Sequence, residues 1–166
     1  MTNIYPIALQ KFKDSFFADS IISNVTIHGE SKEYAACHFL LNNKRVEFRL
    51  AKITPKKIGA FVTIWKRDNF GITRPFCETD KIDYIIVVCE AEDIFGVFVF
   101  PKSVLLEKKI ITANGVEGKR GIRVYPTWGI PNNQQSRKTQ EWQTEYFTAY
   151  DKDKSKLSFA SNSLRF

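Results

Sequence analysis

Two short basic segments hold the side chains that are best suited to bind an anion. In the first, Thr54 and Pro55 precede a pair of lysines in an order typical of a helical turn, with Thr54 as the N-cap. The start of such a turn offers backbone donors to a phosphate, whereas in a tight loop, the other interpretation, the lysines are merely solvated. We expect the anion site. The cations of this segment are Arg49, Lys52, Lys56 and Lys57.

The second basic segment combines glycines with three cations over residues 115–123. Glycines at 115, 118 and 121 would let the backbone approach a ligand closely, although their spacing is not that of a Walker loop. A plain turn with solvated cations explains the same pattern. The second segment therefore supports an anion site mainly in combination with the first segment. Its cations are Lys119, Arg120 and Arg123.

Aromatic side chains alternate with cations at residues 65–67 and around Tyr125. Such rings stack on nucleic-acid bases, with about 1–3 kcal/mol for each base. Packing in the core is the other explanation, and for Trp142 and Phe147 we expect the core.

The charge of the chain is unevenly distributed. Its 166 residues carry 25 Lys and Arg against 18 Asp and Glu, a formal net charge of +7. Residues 44–74 hold nine basic and two acidic side chains, residues 102–138 hold eight and two, and residues 75–101 between them hold one and six. Because a fold can bring two basic blocks to one face, this distribution favours an anionic partner more than the net charge does.

Composition excludes several classes of protein. The hydrophobic fraction of 43%, with 14 Phe, 6 Tyr and 3 Trp, fits a packed core and excludes intrinsic disorder. No apolar run approaches the ~20 residues of a membrane-spanning helix, and we find no secretory signal, so we expect no membrane partner.

Histidines and cysteines give no strong site. His28 and His38 have no pair of carboxylates at ligand spacing, so the sequence predicts no metal site. Cys37, Cys77 and Cys89 are odd in number and form no CxxC motif, which is typical of reduced thiols and predicts a cytoplasmic location.

A nuclease is the catalytic alternative. A magnesium-dependent nuclease places carboxylates and a lysine around its metal, and Glu47 and Lys52 are the candidates for these roles. A further carboxylate would have to come from Glu30 or Glu33, so the site is incomplete by this pattern. We expect no cofactor, apart from Mg²⁺ if this alternative holds.

The elements that must position these residues form one α+β domain over residues 1–166. Apolar spacing predicts helices over Ile4–Phe17 and Arg137–Phe147, a start of helix near residue 103, and a loosely held tail over 151–166. The helices lie at each end of a predominantly antiparallel sheet. Its predicted strands are Ala35–Leu41, Arg45–Lys52, Ala60–Lys66, Asp83–Cys89, Gly96–Phe100 and Gly121–Tyr125.

Several runs of residues together form a family pattern. They are Arg49-x-Ala51-Lys52-x-Thr54-Pro55-x-Lys57-x-Gly59-x-Phe61-Val62-Thr63-x-Trp65-Lys66-Arg67, Pro75-Phe76, Phe100-Pro101-Lys102, Gly118-Lys119-Arg120-Gly121-x-Arg123-Val124-Tyr125-Pro126-x-Trp128 and Thr139-Gln140-x-Trp142-Gln143. On these runs, over about residues 33–148, the chain resembles the MepB-like family of small bacterial proteins. Ala60 departs from the pattern, where we expect a glutamine.

The resemblance implies a restriction-endonuclease-like α/β fold, with a central mixed sheet flanked by helices. In that fold, the acids of a nuclease belong near the hairpin and the second strand. Arg49 or Leu50 occupies those positions in this chain, so the resemblance does not imply cleavage.

We therefore predict a nucleic-acid-binding domain on a degenerate nuclease-like fold, which contacts the phosphates of DNA or RNA through a basic face. Such binding is mainly sequence-nonspecific and falls steeply with salt. The alternatives are the magnesium-dependent nuclease, a small-anion or nucleotide-binding module, and a protein-interaction role for the acidic stretch 78–93. The predicted contact residues are Arg49, Lys52, Thr54, Lys56, Lys57, Trp65, Lys66, Arg67, Lys119, Arg120, Arg123 and Tyr125.

Overall fold

In its described residues the chain folds around one large β-sheet, to which two smaller β-units, three α-helices and a short 3-10 helix (Lys32–Tyr34) are added. The computed structural model describes residues 6–16, 19–151 and 156–158. The helices are α1 (Ile7–Phe16), α2 (Lys102–Glu107) and α3 (Gln134–Thr144). The strands are β1 (Ile22–Ile27), β2 (Cys37–Leu41), β3 (Lys44–Leu50), β4 (Lys52–Ile53), β5 (Ala60–Thr63), β6 (Trp65–Arg67), β7 (Thr73–Pro75), β8 (Tyr84–Glu90), β9 (Ile94–Pro101), β10 (Gly121–Val124), β11 (Phe147–Asp151) and β12 (Lys156–Ser158).

The large sheet is mixed. Its seven strands lie in the order β1-β2-β3-β8-β9-β11-β12. β3 and β8 run parallel, with Phe48 opposite Ile86, and the other neighbours pair antiparallel. The mixed sheet that the family resemblance implies is thus confirmed, and most of its pairings are antiparallel as the strand pattern predicts.

The two faces of this sheet bury two hydrophobic clusters. On one face, α1 packs Leu9 and Phe12 against the sheet, and the rings of Phe12 and Phe48 lie 5.5 Å apart. The other face carries Ile85, Phe98 and Phe100 within the larger cluster. Because side chains alternate along a strand, Glu47 and Arg49 of β3 point away from α1.

A three-stranded antiparallel sheet packs into the larger cluster. Its order is β10-β5-β4, and its buried side chains include Val62, Ile122 and Val124. Next to it in the chain, β6 and β7 form a separate two-stranded hairpin. The three-stranded sheet carries most of the two basic segments, and the hairpin carries the aromatic and basic run at residues 65–67.

Several elements differ from the predicted ones. β1 was not predicted, because a bulge between Ser23 and Thr26 and a positive φ of 53° at Asn24 interrupt its alternation. The predicted second helix ends at Thr144, and Phe147 instead begins β11. The predicted tail lies outside the described residues, except for Asp151 and β12.

The predicted strand Ala60–Lys66 is divided at Ile64 between β5 and β6. The first helix is confirmed as α1, and residues 4, 5 and 17 of its predicted span lie outside the described residues. None of the described helices has the length and apolarity that crossing a bilayer demands.

Candidate functional site

A basic cleft of about 740 Å³ lies where the turn after β4, the strands β5 and β10, and helix α3 meet. We call it the cleft. Among the described residues that line it there is no carboxylate, whereas hydroxyl and amide groups such as those of Thr54, Asn133 and Ser136 are present. The cations that line the cleft are Lys57, Lys108, Lys119 and Arg123.

Strand pairing brings the two basic segments together in the cleft. In the three-stranded sheet, Phe61 of β5 pairs with Lys52 of β4 on one side and with Arg123 of β10 on the other. The Arg123 guanidinium donates to Thr54 Oγ1 at 2.7 Å and to the Ile58 carbonyl at 3.2 Å. These two bonds hold the Arg123 side chain in place and tie the second basic segment to the first.

The segment from Thr54 to Lys57 forms a turn and not a helix, so the tight-loop interpretation is the one that the structure supports. The backbone N–H groups that the first turn of a helix would offer to an anion are therefore not the basis of an anion site here. Lys56 and Lys57 are both exposed, but Lys57 lines the cleft and Lys56 is not among its lining residues.

A buried amide fixes the distance between β10 and α3. Gln143 of α3 is 1% exposed, and its Nε2 donates to the Arg123 carbonyl at 2.9 Å. Its Oε1 accepts from the Tyr125 N–H at 2.8 Å. Because both ends of the amide are used, α3 is bound to the strand that carries the arginine and the tyrosine of the cleft.

The Tyr125 ring closes over Gly59. A Cβ added at Gly59 would lie 2.8 Å from two ring carbons of Tyr125, and the glycine has a φ of +82°. Both the close approach and the positive φ favour glycine. Tyr125 stays half-buried and lines the cleft, so part of its ring faces the solvent there.

A second concave region, which we call the cavity, holds about 310 Å³ and contains other predicted contact residues. Its lining includes Trp65, and the Arg67 guanidinium lies 5.4 Å from the centre of the Trp65 ring. The cations that line the cavity are Arg49, Lys66 and Arg67.

Each cation of the cavity has a carboxylate partner. Arg49 Nη1 lies 3.1 Å from Glu47 Oε2, Lys66 Nζ lies 2.5 Å from Asp80 Oδ1, and Arg67 Nε lies 2.5 Å from Glu30 Oε1. Arg49 is 3% exposed and also donates to the Phe48 carbonyl at 2.8 Å. The structure thus separates these three residues from the cleft, and a buried Arg49 offers no surface to a phosphate.

The remaining predicted contacts lie outside both regions. The Lys52 ammonium lies 5.1 Å from the centre of the Tyr34 ring. Arg120 pairs with Glu117 at 2.9 Å and donates to the Thr73 carbonyl at 3.2 Å.

Two acids of the nuclease alternative, Glu30 and Glu47, are each engaged by other side chains. Glu30 lines the same cavity as Glu47, but Glu30 is bound to Arg67. Glu47 contacts Arg49 and, at 3.2 Å, His28 Nε2. In the described part of the chain, the structure therefore places histidines beside Glu47 where a nuclease would place a second carboxylate.

The cysteines do not supply a nucleophile to either region. Burial raises the pKa of the Cys37 thiol to about 12, which keeps it protonated at neutral pH. Burial also raises the pKa of Cys89. Hydrogen bonds from Thr79 lower the pKa of the more exposed Cys77, which is not among the residues lining the cleft or the cavity.

Sequence reasoning missed Lys108 and the polar face of α3. The Lys108 ammonium lies 5.6 Å from the centre of the Trp142 ring and pairs with Glu107 at 3.1 Å. Lys108 directly follows the short helix α2, three residues after the buried Leu105, so its sequence pattern alone resembles that of any solvated lysine. Trp142 packs against the larger cluster, as predicted, and it also lines the cleft.

Comparison with known proteins gives one family and one structural relative. The family model MepB-like matches residues 28–149. The crystal structure of MepB superposes with a TM-score of 0.77 at 32% sequence identity, and the match covers 90% of this chain and 99% of that chain. No curated protein sequence matches the chain.

Proposed function

The chain belongs to the MepB-like family, and from that premise we propose that it binds nucleic acid by the phosphate backbone in the cleft. The observation that carries the proposal is the lining of the cleft. Two basic segments that are about 60 residues apart in the sequence meet there, with four cations and no carboxylate among the described lining residues.

Among the described residues, three of these cations have no acidic partner, namely Lys57, Lys119 and Arg123, whereas Lys108 pairs with Glu107. In the part of the chain that the structure describes, no carboxylate lies within 4.0 Å of the ammonium groups of Lys57 or Lys119. A concave surface that is lined by one sign of charge focuses its potential and raises the local concentration of a counter-ion. A polyanion responds most strongly, because each neutralised phosphate releases condensed counter-ions.

Two side chains of the cleft, Arg123 and Tyr125, are already held in positions that suit binding of a nucleic acid. Arg123 is held by Thr54 and by the Ile58 carbonyl, so less side-chain entropy is lost when it meets a phosphate. The half-buried ring of Tyr125 offers a surface on which a base of a single strand stacks.

A polymer accounts for more of the surface than a small anion does. The volume of about 740 Å³ suits either kind of ligand. Lys56, next to Lys57, is exposed beyond the cleft, as is Lys52 of β4, the strand that precedes this turn. A backbone that runs out of the cleft passes such lysines, whereas a ligand enclosed in the cleft does not reach them.

The proposal includes a restriction-endonuclease-like relationship for the large sheet and a cytoplasmic location. The mixed strand order, with the parallel pair β3 and β8 at its centre, supports the first. The free state of the three cysteines supports the second. We expect binding without cleavage, since Glu47 is engaged by Arg49 and His28.

Fluorescence anisotropy tests the proposal. Labelled single- and double-stranded DNA and RNA are titrated with the protein at several salt concentrations, with and without Mg²⁺. We expect the logarithm of the binding constant to fall linearly with the logarithm of the salt concentration. If nucleotides shift the thermal unfolding of the protein and no oligonucleotide binds at low salt, the ligand is a small anion and not a polymer.

The double variant Lys57→Gln, Lys119→Gln places the binding in the cleft. Each lost phosphate contact lowers the salt slope by about 0.7–0.9, so we expect a fall of roughly 1.4–1.8 for the pair. Lys44→Gln, Lys81→Gln is the matched control, because both lysines are exposed and neither lines the cleft. If the two double variants had the same salt slope of binding, the cleft would not be the site that binds nucleic acid.

A further inference from the structure

Three side chains at the edge of the cavity converge on one point, and none of them belongs to the cleft in which nucleic acid is proposed to bind. His28, His38 and Glu47 each offer a ligand atom, and these atoms lie within 4.8 Å of one another. We propose that the three side chains bind a divalent transition-metal ion, and that Zn²⁺ is the ion that suits their donors best.

Three neighbouring strands bring these residues together. His38 of β2 lies directly opposite Glu47 of β3 in the antiparallel register. His28 directly follows β1, and its backbone N–H donates to the Ala36 carbonyl at 2.9 Å, which continues the pairing of β1 with β2. The sheet therefore places His38 and Glu47 opposite each other and His28, just past the end of β1, diagonal to His38. Two of the three side chains are thus carried by paired strands, and the third by a residue whose backbone extends the pairing.

The distances between the ligand atoms suit a tetrahedral metal. His28 Nε2 lies 3.2 Å from Glu47 Oε2 and 3.3 Å from His38 Nδ1, while His38 Nδ1 lies 3.9 Å from Glu47 Oε1. With metal–ligand bonds of about 2.0–2.1 Å, neighbouring ligands of a tetrahedral ion are about 3.3 Å apart. Both distances from His28 Nε2 already match, whereas the 3.9 Å distance runs to the other carboxylate oxygen, so the Glu47 carboxylate must rotate to bring one oxygen close to both histidines.

Hydrogen bonds alone do not account for all the contacts among these three side chains. His28 Nε2 contacts both the Glu47 carboxylate and His38 Nδ1. A ring nitrogen that donates its proton to the carboxylate has no in-plane lone pair left for the second histidine, so one contact lacks a good hydrogen bond. A cation between the three groups accepts a lone pair from each of them.

Arg49 holds the carboxylate by Glu47 Oε2, the oxygen that also lies next to His28, and Oε1 is then the oxygen that can bind the metal. Its Nη1 donates to Glu47 Oε2 at 3.1 Å, whereas Oε1 is the oxygen that lies towards His38. An ionised carboxylate has about four lone-pair sites, so it serves the guanidinium and the metal together. Hydrogen bonds of this kind to a ligand orient it and fix its rotamer.

The donor set decides the class of metal. Two imidazoles and one carboxylate suit zinc and its neighbours, whereas Mg²⁺ and Ca²⁺ prefer oxygen ligands throughout. Three protein ligands leave a fourth position open on a tetrahedral ion. His28 and Glu47 also line the cavity of about 310 Å³, so the open position has space for a water molecule.

Metal titration of the full chain tests the site. The protein is prepared without a histidine tag and stripped with a chelator. Zn²⁺ is then titrated by calorimetry, and Co²⁺ is followed by its visible absorption, which is intense for a tetrahedral ion. We expect one equivalent of each metal, a tetrahedral cobalt spectrum, and no competition from Mg²⁺.

His38→Gln is the principal variant, because its side chain is 45% exposed and its loss has little effect on the core. We expect an affinity at least about tenfold lower, since loss of a mere partner of a ligand already has that effect. Glu47→Gln gives a second reading, with its folding checked by circular dichroism.

Glu30→Gln is the matched control, because Glu30 lines the same cavity but pairs with Arg67. Its affinity should equal that of the parent. Absence of one-equivalent binding, or binding that His38→Gln and Glu47→Gln leave unchanged, would overturn the proposal. Neither outcome bears on the cleft, whose lining shares no residue with the three ligands.

Discussion

The cleft and the cavity have similar numbers of cations but differ in what surrounds them. The cleft has four cations and no carboxylate among its described lining residues. The cavity has three cations, and Glu47, Asp80 and Glu30 neutralise them one by one. The electrostatic potential of a surface therefore depends on the partners that the fold supplies, and a count of lysines and arginines in the sequence does not give it.

The partners also change what each region contributes to the fold. The pairs of Lys66 and Arg67 are partly exposed, and such pairs contribute about 0–1 kcal/mol each. The pair of Glu47 and Arg49 is buried, so the loss of one member leaves a charge without compensation. We expect the cavity to respond to changes of charge through stability, and the cleft to respond through binding.

The largest effect is expected from Glu47→Met in metal-free protein. The Arg49 guanidinium then stays buried beside an apolar side chain, and we expect the free energy of unfolding to fall by about 3–5 kcal/mol. Urea denaturation measures this change from the midpoint at constant slope.

The double variant Glu47→Met, Arg49→Met is the control for that experiment. Replacing both members of a buried pair by apolar groups is often neutral, so we expect most of the stability to return. If the single and the double variant were equally unstable, packing at position 47 and not the uncompensated charge would explain the loss. The contrast between the two regions would then lose its energetic basis.

A smaller effect is expected from Gly59→Ala, which acts on the cleft through packing. The new Cβ meets the Tyr125 ring at 2.8 Å, and the φ of +82° adds backbone strain. Together these cost about 3 kcal/mol of stability, and displacement of Tyr125 weakens oligonucleotide binding.

Gly71→Ala separates the two causes. Gly71 has a similar φ of +77°, but a Cβ there meets nothing within 4 Å. We expect it to cost about 1 kcal/mol and to leave binding unchanged. Thermal unfolding and anisotropy of both variants give the comparison, and equal losses of stability in the two would mean that the Tyr125 contact adds nothing.

Much of the fold could be predicted because the apolar pattern of the central strands agrees with the conformation that they adopt. The runs that became β8 and β9 are nearly continuous in apolar residues, and β3 alternates as a strand should. β11 could not be predicted in the same way, because Phe147 also fits the apolar face of the preceding helix. Its pairing opposite Phe98 of β9, about fifty residues earlier in the sequence, decides its conformation.

The candidate sites were predictable in part. Of the twelve predicted contact residues, five line the cleft, namely Thr54, Lys57, Lys119, Arg123 and Tyr125. The acids that neutralise the cavity could not be assigned, because Glu30 and Asp80 are distant in the sequence from Arg67 and Lys66.

The three proposed metal ligands were each considered in the sequence but were not combined into one site, for a related reason. A search for ligand spacing follows a single strand or helix, whereas His38 and Glu47 are neighbours across two strands. Their contact depends on the register of β2 and β3, which a spacing rule does not contain.

The smallest effect is expected from the double variant Lys66→Gln, Arg67→Gln in the cavity. It removes two positive charges, as many as Lys57→Gln, Lys119→Gln does. All four residues belong to the predicted contact set. Because Asp80 and Glu30 already neutralise Lys66 and Arg67, we expect oligonucleotide affinity to change by no more than about twofold and the salt slope to stay the same. Anisotropy at two or more salt concentrations measures both quantities. A slope as low as that of the cleft variant would mean that nucleic acid displaces these acids and that the two regions form one continuous binding surface.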